Sequence, residues 1–159
     1  MGNITTNSNG HKSSTATHHP STTDDMSEME AKTARIMVCV GYNPVSQRLM
    51  QRAYYLSQAL NGDLVAVHIQ TDDSDAPGYW TMLEQNMEFA RNIGAETLII
   101  RDAPLAEAIA RVAHTQSISH IVMGESARSR WAEIQNGSLI RQILRASHGI
   151  DIYIVADPT

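Results

Sequence analysis

Ile118-Ser-His-Ile-Val-Met-Gly124, Glu125-Ser-Ala-Arg-Ser-Arg-Trp131, Ala132-Glu-Ile-Gln-Asn-Gly-Ser138 and Leu139-Ile-Arg-Gln-Ile-Leu-Arg145 follow one another without a break. The first block is an apolar strand. The next two form a loop of small and basic residues, and Gly137-Ser138 opens an amphipathic helix. That order suits an anion, because the first turn of a helix leaves N–H groups unpaired and its dipole favours negative charge there. Ser138 is the expected N-cap, and Gly137 lets the chain turn closely beneath a ligand. Arg128, Arg130, Arg141 and Arg145 concentrate positive charge in this one segment.

Outward from this stretch, strands and helices alternate. Ile36–Val40 is a continuous apolar run, as expected of a strand buried on both faces of a parallel sheet. Gly41-Tyr-Asn-Pro-Val-Ser46 is turn chemistry, with Pro44 suited to the first turn of a helix. Leu49, Ala53, Leu56 and Leu60 then recur at helical spacing up to an Asn61-Gly62 stop. Leu64–Ile69 is the second strand. Met82, Leu83, Met87, Ala90 and Ile93 mark a helix over Tyr79–Asn92 that Gly94 ends, and Ala95–Ile100 is strand three. Leu105, Ala108, Ile109, Val112 and Ala113 mark the next helix, with Pro104 near its start and Asp102 as a cap. Ile118–Met123 is strand four and Ile150–Val155 strand five. The expected fold is an α/β domain over 34–157, a five-stranded mainly parallel sheet with helices on both faces and right-handed crossovers. Ligands of such sheets bind beyond the carboxyl ends of the strands where strand order reverses, which selects the loops after strands one and four.

The 159 residues have room for one ordinary domain. A formal charge of -5 argues against a protein that coats nucleic acid. The single cysteine, Cys39, lies in an apolar run, reads as a buried thiol and excludes an internal disulfide. Residues 1–33, rich in Ser, Thr, Asn and His, read as a disordered polar tail. The Met1-Gly-Asn-Ile-Thr-Thr6 match to a lipidation signal, the Asn3 glycosylation pattern and the tail histidines His11, His18 and His19 lack supporting context, and no metal site is expected. No apolar run reaches the ~18 residues a bilayer requires, so neither a membrane span nor direct membrane insertion is expected, and the protein reads as cytoplasmic, free-standing or part of a larger chain.

With these blocks in place the chain resembles the universal stress protein family, whose adenine nucleotide alpha hydrolase-like fold carries a phosphate signature after strand four: Gly, two residues, Gly, nine residues, then Gly with Ser or Thr. Gly124 stands first, residues 128–136 supply the nine-residue spacer, and Gly137-Ser138 closes the motif. Ala127 replaces the middle glycine. Gly41-Tyr42 stands where nucleotide-binding members usually end strand one with Asp. Val38-Cys-Val-Gly41, Asn92-Ile-Gly-Ala95, Ile121-Val-Met-Gly-Glu-Ser126, Arg128-Ser-Arg-Trp131, Gly137-Ser-Leu139 and Ile150-Asp151 are similar to the stress-protein module inside the sensor kinase of the Kdp potassium-transport system. The resemblance covers about Arg35 to Asp157. It implies a regulatory role in potassium or osmotic stress, a bound nucleotide with cyclic di-AMP the most specific ligand and ATP the general one, a transporter or sensor-kinase partner, and a homodimer through the apolar last strand.

The expected nucleotide-binding set is Gly41, Tyr42, Asn43, Gly124, Ser126, Arg128, Arg130, Trp131, Gly137 and Ser138. Ser126 donates to phosphate or satisfies its own loop backbone. Arg128 and Arg130 lie two apart, so one pairs with phosphate while the other stays solvated. Trp131 stacks on a base or packs on the sheet edge, and Tyr42 and Asn43 contact base or ribose or simply form the turn. Arg141 and Arg145 share a helix face and read as solvated or as a dimer contact. His68 and His120 read as structural, and His114 and His148 as surface residues. There is no phosphate-loop lysine, paired-carboxylate spacing or nucleophile elbow, so catalysis beyond slow nucleotide hydrolysis is not expected. Ala127 and the missing Asp favour the alternative of a ligand-free interaction module of the same fold.

Overall fold

The computed structural model describes residues 33–71, 77–125 and 139–158. The expected polar tail, up to residue 32, and the loop 126–138 lie outside the described residues, as does Ser138, the expected cap. Among the described residues the chain alternates β1 (Arg35–Cys39), α1 (Val45–Ala59), β2 (Asp63–Gln70), α2 (Tyr79–Asn92), β3 (Glu96–Arg101), α3 (Leu105–Thr115), β4 (His120–Gly124), α4 (Leu139–Ala146) and β5 (Asp151–Val155). The strands form one sheet in the order β3-β2-β1-β4-β5, and every pairing is parallel. The order reverses between β1 and β4.

Strand alternation divides the core into two layers. Ile36, Val38 and Val40 face α1 and α2, in a cluster with Leu49, Met50, Leu83 and Met87. Met37, with Val65, Ile121 and Met123 from the neighbouring strands, faces α3 and α4, packing with Ile109, Val112, Leu139 and Ile143. Central strands buried on both faces must be apolar at every position, which is why they read as unbroken runs.

Three helices end alike. Asn61 (φ 49°), Gly94 (φ 87°) and Ser117 (φ 54°) adopt left-handed backbone. The N–H of each bonds the carbonyl three residues back, and the next N–H bonds the carbonyl five back, as in Gly62 to Ser57 and Ile118 to Ala113. This is the Schellman closure. At the end of α1 the left-handed residue is Asn61 rather than Gly62. Ser117→Gly relieves the side-chain strain at the α3 end and is expected to stabilise the protein by about 0.5–1 kcal/mol, measured as a higher urea midpoint at unchanged slope.

The start of α3 corrects one expectation. Its N-cap is Pro104, without a side-chain cap. Asp102 instead accepts the Ala103 N–H at 2.8 Å and pairs with the Arg111 guanidinium at 2.8 and 2.9 Å, which holds its carboxyl below the usual range. Two helical turns separate Arg111 from the strand end, so its long side chain outcompetes the capping geometry.

Candidate functional site

Beyond the carboxyl ends of β2, β1, β4 and β5 lies a cavity of about 390 Å³, within the ~300–1,000 Å³ usual for small-molecule sites. It straddles the reversal between β1 and β4. Gly41, Tyr42 and Asn43 line it from the first strand's loop and Gly124 from the end of β4. These four expected site residues come together at one place. Ser126, Arg128, Arg130, Trp131, Gly137 and Ser138 lie outside the described residues.

One wall is aliphatic, from Ile69, Leu105, Ile109, Met123 and Leu139; the other is aromatic and polar. Tyr42 packs on Tyr79 with ring centroids 4.5 Å apart. His68, buried at the end of β2, approaches the Val40 carbonyl with Nδ1 at 2.7 Å and the Tyr79 hydroxyl with Nε2 at 2.5 Å. A carbonyl only accepts, so Nδ1 carries the proton and the Tyr79 O–H donates to Nε2. Desolvation pushes the His68 pKa down, against a smaller upward pull from the Val40 bond. A lowered folded pKa gives stability that is present above the unfolded value and lost below it. Unfolding free energy is therefore expected to fall as pH drops below about 6.5, by at most ~1.4 kcal/mol per pH unit from this group, and His68→Gln is expected to flatten that slope in denaturation series.

The β1–α1 loop is held internally. Asn43 Oδ1 accepts the Ser46 N–H at 3.2 Å, and the Gly41 N–H donates to Ser46 Oγ at 3.1 Å. Asn86, fully buried on α2, donates from Nδ2 to the Gly41 and Asn43 carbonyls at 2.9 and 3.0 Å. Turn formation thus accounts for the Asn43 carbonyl and side-chain oxygens. Arg48, half-buried on the first turns of α1, lines the cavity and makes no ion pair among the described residues. Asp157, two residues beyond β5, lines it from the other side.

Sequence reasoning missed Arg48, Tyr79, Asn86 and Asp157. Asn86 left a signal: it sits at the spacing of Leu83, Met87 and Ala90, an amide on the core face of a helix. Cys39, expected as a buried thiol, lines the cavity and is half-buried, with desolvation pushing it up to about 12. His120 is tied to Ser119 Oγ at 2.7 Å and faces Asp151 at 3.6 Å, while His114 and His148 are exposed, as expected.

A family model described as the universal stress protein family matches residues 32–149. The chain belongs to the universal stress protein family. The sensor protein KdpD of Mycobacterium tuberculosis is 29% identical over 126 residues, which is 78% of this chain and 14% of that relative's length. The chain therefore spans a small part of the curated relative it matches. Among solved structures, a universal stress protein in complex with cAMP superposes with a TM-score of 0.60 at 22% identity, covering 79% of this chain and 98% of that one. A universal stress protein from Archaeoglobus fulgidus in complex with dAMP gives 0.53 at 18%, covering 77% and 97%. The fold expected of a universal stress protein is the fold observed, and the similarity to Kdp sensors extends over most of the chain.

Proposed function

We propose that this universal stress protein domain is a nucleotide-binding regulatory module whose ligand is an adenine nucleotide, with cyclic di-AMP the most specific form, acting without turnover in potassium or osmotic stress signalling on the cytoplasmic side. The observation that carries the reading is the cavity over the strand-order reversal, where Gly41, Tyr42, Asn43 and Gly124 meet the half-buried Arg48. An aromatic-apolar lining with one positive charge suits a base at one end and a phosphate at the other. Two structural neighbours are described with cAMP and dAMP, and the KdpD relatives suggest a sensor-kinase or transporter partner. Binding rather than catalysis is supported by two of the titratable groups that line the cavity: the Cys39 thiol is kept protonated, and both His68 nitrogens are engaged.

The test is a thermal-shift and calorimetric titration against cyclic di-AMP, ATP, AMP and cyclic di-GMP. A ligand at 100 times its dissociation constant stabilises a fold by ~2.7 kcal/mol, which a melting curve resolves. Arg48→Ala is expected to weaken binding about tenfold, the loss of one charge-assisted hydrogen bond. No shift with any of the four overturns the nucleotide reading.

A second reading, an interaction module working through β5, draws on the sheet edge. Tyr153 and Ile154 are 41% and 40% exposed on that edge strand, a surface that pairs readily with a second copy. Homodimer formation through β5 fits both readings; monomeric sedimentation at high concentration, unchanged by Ile154→Lys, counts against it.

A further inference from the structure

Asp157 carries a polar atom that the folded chain leaves unanswered. Its Oδ1 is buried and has no hydrogen-bond partner among the described residues. The residue lines the cavity at the end furthest from β2, just past β5, where the Gly124–Val155 register brings the strand ends together. Its own N–H donates to Glu125 Oε2 at 3.3 Å, which anchors the backbone there. Buried polar atoms are almost always satisfied, and an orphan acceptor costs the desolvation of the group with nothing in return. A carboxylate can only accept. No cluster of three or more metal-ligating side chains is present among the described residues, so the partner that fits brings an O–H or N–H; a bare anion, which offers none and is repelled by the charge, is the wrong one. The cation at Arg48, on the same cavity wall system, asks for the opposite chemistry.

We infer that Asp157 is a specificity-determining residue that accepts a hydrogen bond from a sugar hydroxyl or an exocyclic base amine of the bound nucleotide. This assignment rests on the nucleotide reading and deepens it: the ligand carries an anionic group and, separated from it, a neutral donor that Asp157 requires. The unligated protein holds the unmet acceptor as a local instability. Function and stability therefore pull in opposite directions at this residue.

That opposition supplies the test. The full chain and its Asp157→Leu and Asp157→Asn variants are titrated calorimetrically with ATP and with cyclic di-AMP, then with the 2′-deoxy and inosine counterparts of each and with 3′-deoxy-ATP, and the unligated proteins are unfolded in urea. Asp157→Leu is expected to bind about tenfold or more weakly than wild type, while its unligated urea midpoint stays level or rises. Asp157→Asn, which keeps an acceptor oxygen, is expected to recover part of the affinity. In wild type one analogue loses affinity and in Asp157→Leu it loses none, which names the donor: the deoxy sugars report a hydroxyl, inosine the amine. Unchanged affinity in Asp157→Leu, or loss of affinity together with a lowered unligated midpoint, overturns the assignment while leaving the nucleotide reading intact. Absence of binding of both parent nucleotides to wild type overturns the nucleotide reading and the assignment with it.

Discussion

Asn86→Asp is expected to lower the stability of the folded protein by about 3–5 kcal/mol at neutral pH, the usual penalty for a buried charge without a partner. Asn86 is fully buried and its Nδ2 serves both the Gly41 and the Asn43 carbonyls. The substitution exchanges two donated hydrogen bonds for a carboxylate facing two carbonyl oxygens, so attraction becomes repulsion at nearly unchanged volume. Only the protonated acid can donate there. Its pKa in the folded state therefore rises, and the variant regains stability as pH falls towards about 5, opposite in sign to the His68 effect. Urea denaturation at pH 7.5 and pH 5 checks both parts; a loss below about 1 kcal/mol at pH 7.5 would show that the β1–α1 loop is not held by this amide. The same variant should bind nucleotide poorly, because the displaced loop carries Gly41, Tyr42 and Asn43.

Gly62→Ala should cost about 3 kcal/mol and lower the melting temperature by roughly 10 °C, a large effect for one methyl group. A Cβ built on Gly62 lies 2.3 Å from the Ala34 carbonyl oxygen and 2.8 Å from its carbon. That carbonyl cannot retreat freely, because it accepts the Asp63 N–H at 3.0 Å at the point where β1 and β2 begin to pair. Either the contact is relieved by parting the strand ends or the end of α1 shifts. Calorimetric melting distinguishes this from an ordinary helix-end substitution: Asn61→Gly, one residue earlier, relieves a left-handed side chain and moves the midpoint the other way. Equal midpoints for Gly62→Ala and wild type would mean the strand ends give without cost.

These two residues also mark the boundary of what periodicity reveals. Asn61-Gly62 reads correctly as a helix stop, since a left-handed residue must follow the last turn and both types tolerate it. The reason Gly62 tolerates no side chain is a contact with Ala34, far off in sequence, and no local pattern encodes that distance. The N-cap expected from Asp102 fails for a related reason. Capping preference is local, whereas the Arg111 guanidinium that takes the carboxylate arrives from elsewhere on the folded helix. Gly41, Tyr42, Asn43 and Gly124 were legible as a group because they follow strands one and four and the alternation of strands and helices places those ends side by side.

The sequence alone determined the α/β class, the five strands and the order of elements, because burial on both faces forces apolar runs in the central strands β1, β2 and β4 and each parallel crossover demands a helix between strands. It also placed the cavity end of the sheet, since a parallel sheet points all its carboxyl ends one way. Tertiary structure alone decided which residues close the cavity. Arg48 is an ordinary charge on an ordinary helix, Tyr79 an ordinary first residue of another, and Asp157 follows the last strand with nothing in its neighbours to mark it. Each reaches the cavity only through the order β3-β2-β1-β4-β5, and hydrogen bonding, which makes the Asn86 amide nitrogen a strut and leaves Asn86 Oδ1 and Asp157 Oδ1 without partners among the described residues, is a property of atoms in three dimensions.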